Sequence, residues 1–74
     1  MEKTIFEVRF LDNTTGDVIF NIKKARRLLK KGHSLRAIGS MKEFPGQVRR
    51  TSDIVKFIGR KKFETKSSLY QIGD

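Results

Sequence analysis

Six cations crowd into nine residues near the middle of the chain: Lys23, Lys24, Arg26, Arg27, Lys30 and Lys31, with no acid between them. Ammonium and guanidinium groups at this density do one kind of chemistry well. They hold a polyanion, because each phosphate they neutralise releases condensed counterions. The plain alternative is a solvated face, since any amphipathic helix needs a polar side. Solvated faces usually mix signs, because like charges four residues apart destabilise a helix by about 0.2–0.5 kcal/mol per pair. Lys23–Arg27, Arg26–Lys30 and Arg27–Lys31 are all like-charge pairs at that spacing. Stability alone does not select them, so a polyanion contact is the favoured reading.

Further cations extend the candidate footprint: Arg36, the pair Arg49 and Arg50, and the run Arg60, Lys61 and Lys62. Arginine presents a planar fork that matches a phosphate or a base edge, so Arg36, Arg49 and Arg50 are the candidates for finer recognition. The run 60–62 also has a structural explanation, as cations that follow a helix C-terminus and suit its dipole.

Catalysis has little to work with. His33 is the single histidine and lies beside Gly32 at an expected helix end, where a capping or surface role suits it better than general-base work. The serines lack a nucleophile-elbow setting, the eight acids are scattered, and there is no Walker or GxGxxG motif. No catalytic residue, metal ligand or cofactor is expected, and the chain reads as a non-enzyme.

The stretch LLKKGHSLRAIG (28–39) resembles the first part of a helix-turn-helix of the recombinase and transposase kind. Leu28, Leu29, Gly32, Ser34 and Ile38 carry the match. The resemblance implies a recognition helix after it, but Pro45 and Gly46 fall there, so the family is not adopted.

Charge is distributed unevenly over the 74 residues. The net charge is +9, yet residues 18–42 hold eight bases and no acid, while residues 1–17 hold two bases and four acids. A balance this basic points to nucleic acid, an acidic protein face or an anionic membrane surface. The membrane ranks last, because the stripe Ala25, Leu28, Leu29 is small and the fold needs it. Val18–Phe20 is the longest wholly apolar run, against the roughly 20 residues of a membrane span. The opening MEKTIFEVRF is not a signal peptide in composition. With no cysteine, the chain has no disulfide and suits a reducing cytoplasm. One small basic domain, 1–74, is expected, with homodimerisation as a further source of stability.

The positioning elements follow from periodicity. TIFEVRFL (4–11) alternates, with Phe6, Val8 and Phe10 on one face, and VIFNI (18–22) does the same with Val18, Phe20 and Ile22. DNTTGD (12–17) between them is rich in turn formers, so the two runs read as a β-hairpin. Residues 23–31 form a helix capped by Asn21 and ended by Gly32, its apolar stripe laid on the hairpin. Residues 33–39 are read as helix, although Leu35, Ala37, Gly39 and Met41 also alternate. EFPGQ is a turn. TSDIVKFIGRKKF (51–63) is read as a second helix, capped by Thr51 or Ser52, with Ile54, Phe57 and Ile58 inward and Gly59 as its stop. SSLYQIGD (67–74) supplies a short edge strand.

The expected architecture is therefore α+β: an N-terminal antiparallel hairpin packed by two helices, with a C-terminal edge strand. The expected function is non-catalytic nucleic-acid binding, duplex DNA ahead of RNA, through Lys23, Lys24, Arg27, Lys30 and Lys31. The rival is a small accessory or inhibitory protein that docks its basic helix on an acidic partner. Small basic proteins of phages and mobile elements fit either class.

Overall fold

The structure is a computed structural model that describes residues 2–73. The first expected strand forms as β1 (Glu2–Asp12) and is followed by a two-residue strand, β2 (Val18–Ile19). A single helix, α1 (Ile22–Lys30), comes next. The rest of the described chain is extended: β3 (Leu35–Met41), β4 (Phe44–Ile58), β5 (Lys62–Thr65) and β6 (Leu69–Gly73). The strands lie in the order β2-β1-β3-β4-β5-β6, and β1 also pairs with β6. Five strands thus close on themselves, and β2 hangs on the far end of β1. In a five-strand meander the first and last strands run the same way, which is why the closing pair, Glu2↔Leu69 to Phe6↔Gly73, is parallel.

This architecture corrects the expected α+β hairpin packed by two helices. The fold is a small closed β-barrel with one short helix. Residues 35–41 are a strand rather than a helix because their alternation matches burial residue by residue. Leu35, Ala37, Gly39 and Met41 point inward, with less buried residues between them. Gly39 is required by close approach. A Cβ there would lie 2.6 Å from the Phe6 carbonyl oxygen and 2.8 Å from an Ile5 side-chain carbon, so any side chain would push β1 and β3 apart.

The second helix is absent for a different reason. In β4 the register against β5 shifts between Ile54 and Lys56. The extra residue re-aims the strand, so Ile54 is buried and Phe57, three residues on, packs against the same core. That spacing imitates the i, i+3 step of a helix. Thr51 and Ser52 therefore cap nothing. Thr51 is buried and mends the ladder, accepting from the Ala37 N–H at 3.0 Å and donating to the Ser52 carbonyl at 2.8 Å. Gly59 turns the chain into β5 rather than stopping a helix. EFPGQ is not a turn as a whole: the turn is at Lys42 and Glu43, residues 44–47 belong to β4, and the β3–β4 register is interrupted there, from Ser40↔Val48 to Met41↔Phe44. The last segment is no edge strand. β6 has a neighbour on each side, β5 and β1. Asp74 of that segment lies outside the described residues.

β1 has its own bulge, between Phe6 and Arg9, with Glu7 at φ 51°. Phe10 is buried and Val8 packs against the core as expected, but before the bulge Ile5 takes the inward place expected of Phe6. The hairpin to β2 exists, pairing Phe10↔Ile19 and Leu11↔Val18. Its face is the reverse of the expected one. Ile19 is buried, while Phe20 is 76% exposed. Phe63 anchors the centre of the barrel, with ring centroids 5.9 Å from Phe10, 6.2 Å from Phe57 and 5.2 Å from Tyr70.

α1 begins and ends one residue before the expected 23–31, with Asn21 as its cap and Gly32 just past its end as expected. Asn21 Oδ1 accepts from the N–H groups of Lys23 at 2.8 Å and Lys24 at 3.4 Å. At the other end the His33 N–H reaches the Leu28 carbonyl and the Gly32 N–H the Leu29 carbonyl, a pair that needs the left-handed φ of 93° at Gly32. Ala25 is buried, and Ile22, Leu28 and Leu29 pack on the core. No helix among the described residues is long and apolar enough to cross a membrane.

The helix exit is tied to the β1–β2 turn through Asp12, whose side chain is 1% exposed. Its Oδ1 accepts from the Thr14 N–H at 2.9 Å and the Thr15 N–H at 3.3 Å, and its Oδ2 lies 2.8 Å from His33 Nδ1. An ionised carboxylate only accepts, so Nδ1 carries the proton. His33 thus takes part in the helix C-cap through its backbone N–H and holds Asp12 through its ring. Burial by itself would raise the Asp12 carboxyl. The His33 hydrogen bond, with those from Thr14 and Thr15, outweighs it and holds the group below its ordinary range. A depressed folded-state pKa contributes stability above the unfolded value, about 3.9 for Asp, and that stability fades as pH falls through the folded value. The wild type is therefore expected to lose stability below about pH 4. Asp12→Asn should be less stable at neutral pH and have a flatter acid limb, as urea unfolding from pH 3 to 7 would reveal.

Candidate nucleic-acid interface

α1 lies with its apolar stripe on the barrel, so the opposite side turns outward. Lys23, Lys24, Arg27, Lys30 and Lys31 are all exposed, and the first turn contains no acid. None of the five makes an ion pair with an acid among the described residues. Lys23, Arg26, Arg27 and Lys30 line one shallow groove along the helix. At about 1.5 Å per residue the helix is about 13 Å long, which matches about four phosphate steps along one strand of B-DNA.

Arg26 has a separate task. It is half-buried, and its Nη1 donates to the Gly59 carbonyl at 2.8 Å. This bond ties α1 to the β4–β5 turn, where the chain bends through Gly59, Arg60 and Lys61. The run 60–62 therefore lies on a hairpin, and its explanation as cations after a helix end does not hold. Arg60 is exposed at this turn. Lys61 stands in the same turn. Lys62 points elsewhere, with its Nζ 3.1 Å from Glu2 Oε2.

The remaining candidates stand apart from the helix. Arg36, on β3, is half-buried with its Nη2 3.6 Å from Asp53 Oδ1. Arg49 and Arg50 are exposed on the first half of β4, and the Arg49 guanidinium stacks 3.9 Å from the Phe44 ring centroid. From Arg49 to Phe57, where α1 packs, β4 runs for about 26 Å at about 3.3 Å per residue. The structure thus keeps the α1 cations together and leaves Arg49 and Arg50 in a separate cleft.

Sequence reasoning missed a cleft between α1 and β4, where Arg26, Lys30 and Lys56 surround Leu29, Val55 and Phe57. Lys56 is also paired, 3.8 Å from Glu64. No local pattern joins residues 26–30 to 55–57. Only barrel closure brings them together. Comparison with protein-family models, curated proteins and solved structures returns no match for this chain.

Proposed function

We propose that this chain is a non-catalytic nucleic-acid-binding protein that grips backbone phosphates with the outer face of α1. One observation carries the reading: four exposed cations on a nine-residue helix and a fifth, Lys31, at its C-cap, with no acid partner among the described residues. Lys23, Lys24, Arg27, Lys30 and Lys31 supply the electrostatic affinity, and Arg26 holds the helix against the β4–β5 turn. Duplex DNA ranks ahead of RNA because a B-form major groove admits a helix and an A-form one does not. A reducing cytoplasm suits the cysteine-free chain.

The test is a salt titration of binding to a generic DNA duplex. With about four phosphates neutralised, the log–log slope should be about −3.6, so affinity falls about 150-fold between 50 and 200 mM salt. No binding at low salt would remove the reading.

The cleft between α1 and β4 supports the rival reading. Its apolar floor ringed by Arg26, Lys30 and Lys56 suits an acidic, partly apolar protein surface better than a phosphate backbone. A duplex-negative protein that copurifies with one stoichiometric acidic partner, after nuclease treatment, would favour that rival.

A further inference from the structure

The cations on the first half of β4 form a site of a different kind from α1. We infer that the cleft around Phe44 and Arg49 binds an unpaired nucleotide, the base on the Phe44–Arg49 stack and the phosphate between Lys3 and Arg50. The inference rests on the nucleic-acid reading above and adds a second ligand form to it. The cleft is about 290 Å³ and is lined by Lys3, Phe44, Arg49, Arg50, Ser52 and Ser67 over a floor that includes Tyr70. No acid lines it. Glu43, next to Phe44 in sequence, is not part of its wall.

Arg49 is the centre of the argument. A long exposed side chain loses rotamer entropy when fixed, and this one is fixed twice. Its guanidinium stacks 3.9 Å from the Phe44 centroid, and its Nη1 donates to Gln47 Oε1 at 3.2 Å. The result is a flat, charged, preorganised platform. Bases stack on guanidinium planes and on aromatic rings, and such stacking tolerates any base because each has a π-face. An exposed cation–π pair also stabilises a loop by about 0.5–1 kcal/mol, which explains Arg49 on structural grounds alone. It does not explain the company. Lys3 and Arg50 share the cleft and have no ion pair among the described residues. Two hydroxyls complete it, with Ser52 Oγ donating to Ser67 Oγ at 3.1 Å. The outward side of α1 has cations and no aromatic among them, which suits phosphates. This cleft has cations around an aromatic, which suits a base whose π-face is free. A paired base cannot offer that face.

The probes are an oligothymidylate of about eight nucleotides, within the usual span of a small single-strand site, and a short blunt DNA duplex. The Phe44→Ala/Arg49→Ala protein should bind the oligothymidylate about tenfold more weakly, the scale of one lost stacking contact, and bind the duplex within about twofold of wild type. Phe44→Trp should retain single-strand binding. Both sites are exposed, and a melting midpoint of Phe44→Ala/Arg49→Ala close to that of wild type separates lost stacking from lost fold. In a Lys24→Glu/Arg27→Glu/Lys31→Glu background the residual oligothymidylate binding should still fall when Phe44→Ala is added. Wild-type affinity in the double variant, or an equal loss for both probes, would overturn the inference. So would a wild type that binds the duplex and not the oligothymidylate, which leaves the α1 reading standing. The converse, oligothymidylate without duplex, overturns the α1 preference for duplexes and leaves this cleft.

Discussion

Reversing Lys24, Arg27 and Lys31 to Glu should lower duplex affinity by at least about two orders of magnitude, with the fold intact. The three side chains are exposed on α1 and make no ion pair among the described residues, so their replacement removes no packing. The new Glu at position 27 sits four residues from Lys23 and three from Lys30, which replaces repulsion by attraction. A Glu at position 31 opposes the helix dipole at the C-terminus, so the helix terms nearly cancel. Circular dichroism should confirm an unchanged barrel. Binding should behave otherwise, because each lost phosphate contact also removes about 0.9 from the salt slope. Single neutralisations should show that step one residue at a time. The control is an equal charge change elsewhere, Lys42→Glu/Lys66→Glu measured beside the helix variant Lys24→Glu/Arg27→Glu. If the control loses as much as the helix variant, net charge alone governs binding and α1 is not the site.

Phe63→Ala should cost about 3–5 kcal/mol, the scale for truncating a fully buried aromatic. The ring is wholly buried and touches Phe10, Phe57 and Tyr70, so its loss leaves a hole bordered by three rings that cannot all move in. A chain of 74 residues holds about 4–11 kcal/mol in total at about 0.05–0.15 kcal/mol per residue. The variant should therefore sit near or past its midpoint without denaturant. Phe20→Ala makes the contrast. Both residues are phenylalanines in β-rich stretches, yet Phe20 is 76% exposed, and its truncation should change stability by no more than about 0.5 kcal/mol. Urea unfolding of both variants decides the matter. Equal effects would mean that Phe20 rather than Ile19 faces the core.

That contrast marks the limit of periodicity as a guide. α1 was legible because its signals are local. Asn21, the apolar stripe and Gly32 each act within a turn or two of the helix, and each does in the structure what its chemistry suggested. Strand faces were less so. Ile5 and Phe10, or Ile54 and Phe57, share the interior only because a bulge lies between them. A bulge leaves no mark in composition, and the spacing it creates resembles a helical step. The candidate site divided along the same line. The six cations of residues 23–31 could be grouped from their spacing, while the separation of Arg49 and Arg50 from them, the tie from Arg26 to Gly59 and the Asp53 contact of Arg36 could not.

The sequence by itself determined the chemistry available: an acid-free cationic helix, no thiol, one histidine and an alternating first strand. Charge and local capping are properties of neighbours along the chain, and neighbours can be read. The tertiary structure decided that the strands close. β1 meets β6 across more than sixty residues of sequence, with Glu2 opposite Leu69. Closure needs bulges to curl the sheet, and the bulges choose which side chains turn inward. The same curl carries Arg49 and Arg50 away from α1 and brings the β4–β5 turn to it. One basic sequence is thereby divided into two surfaces.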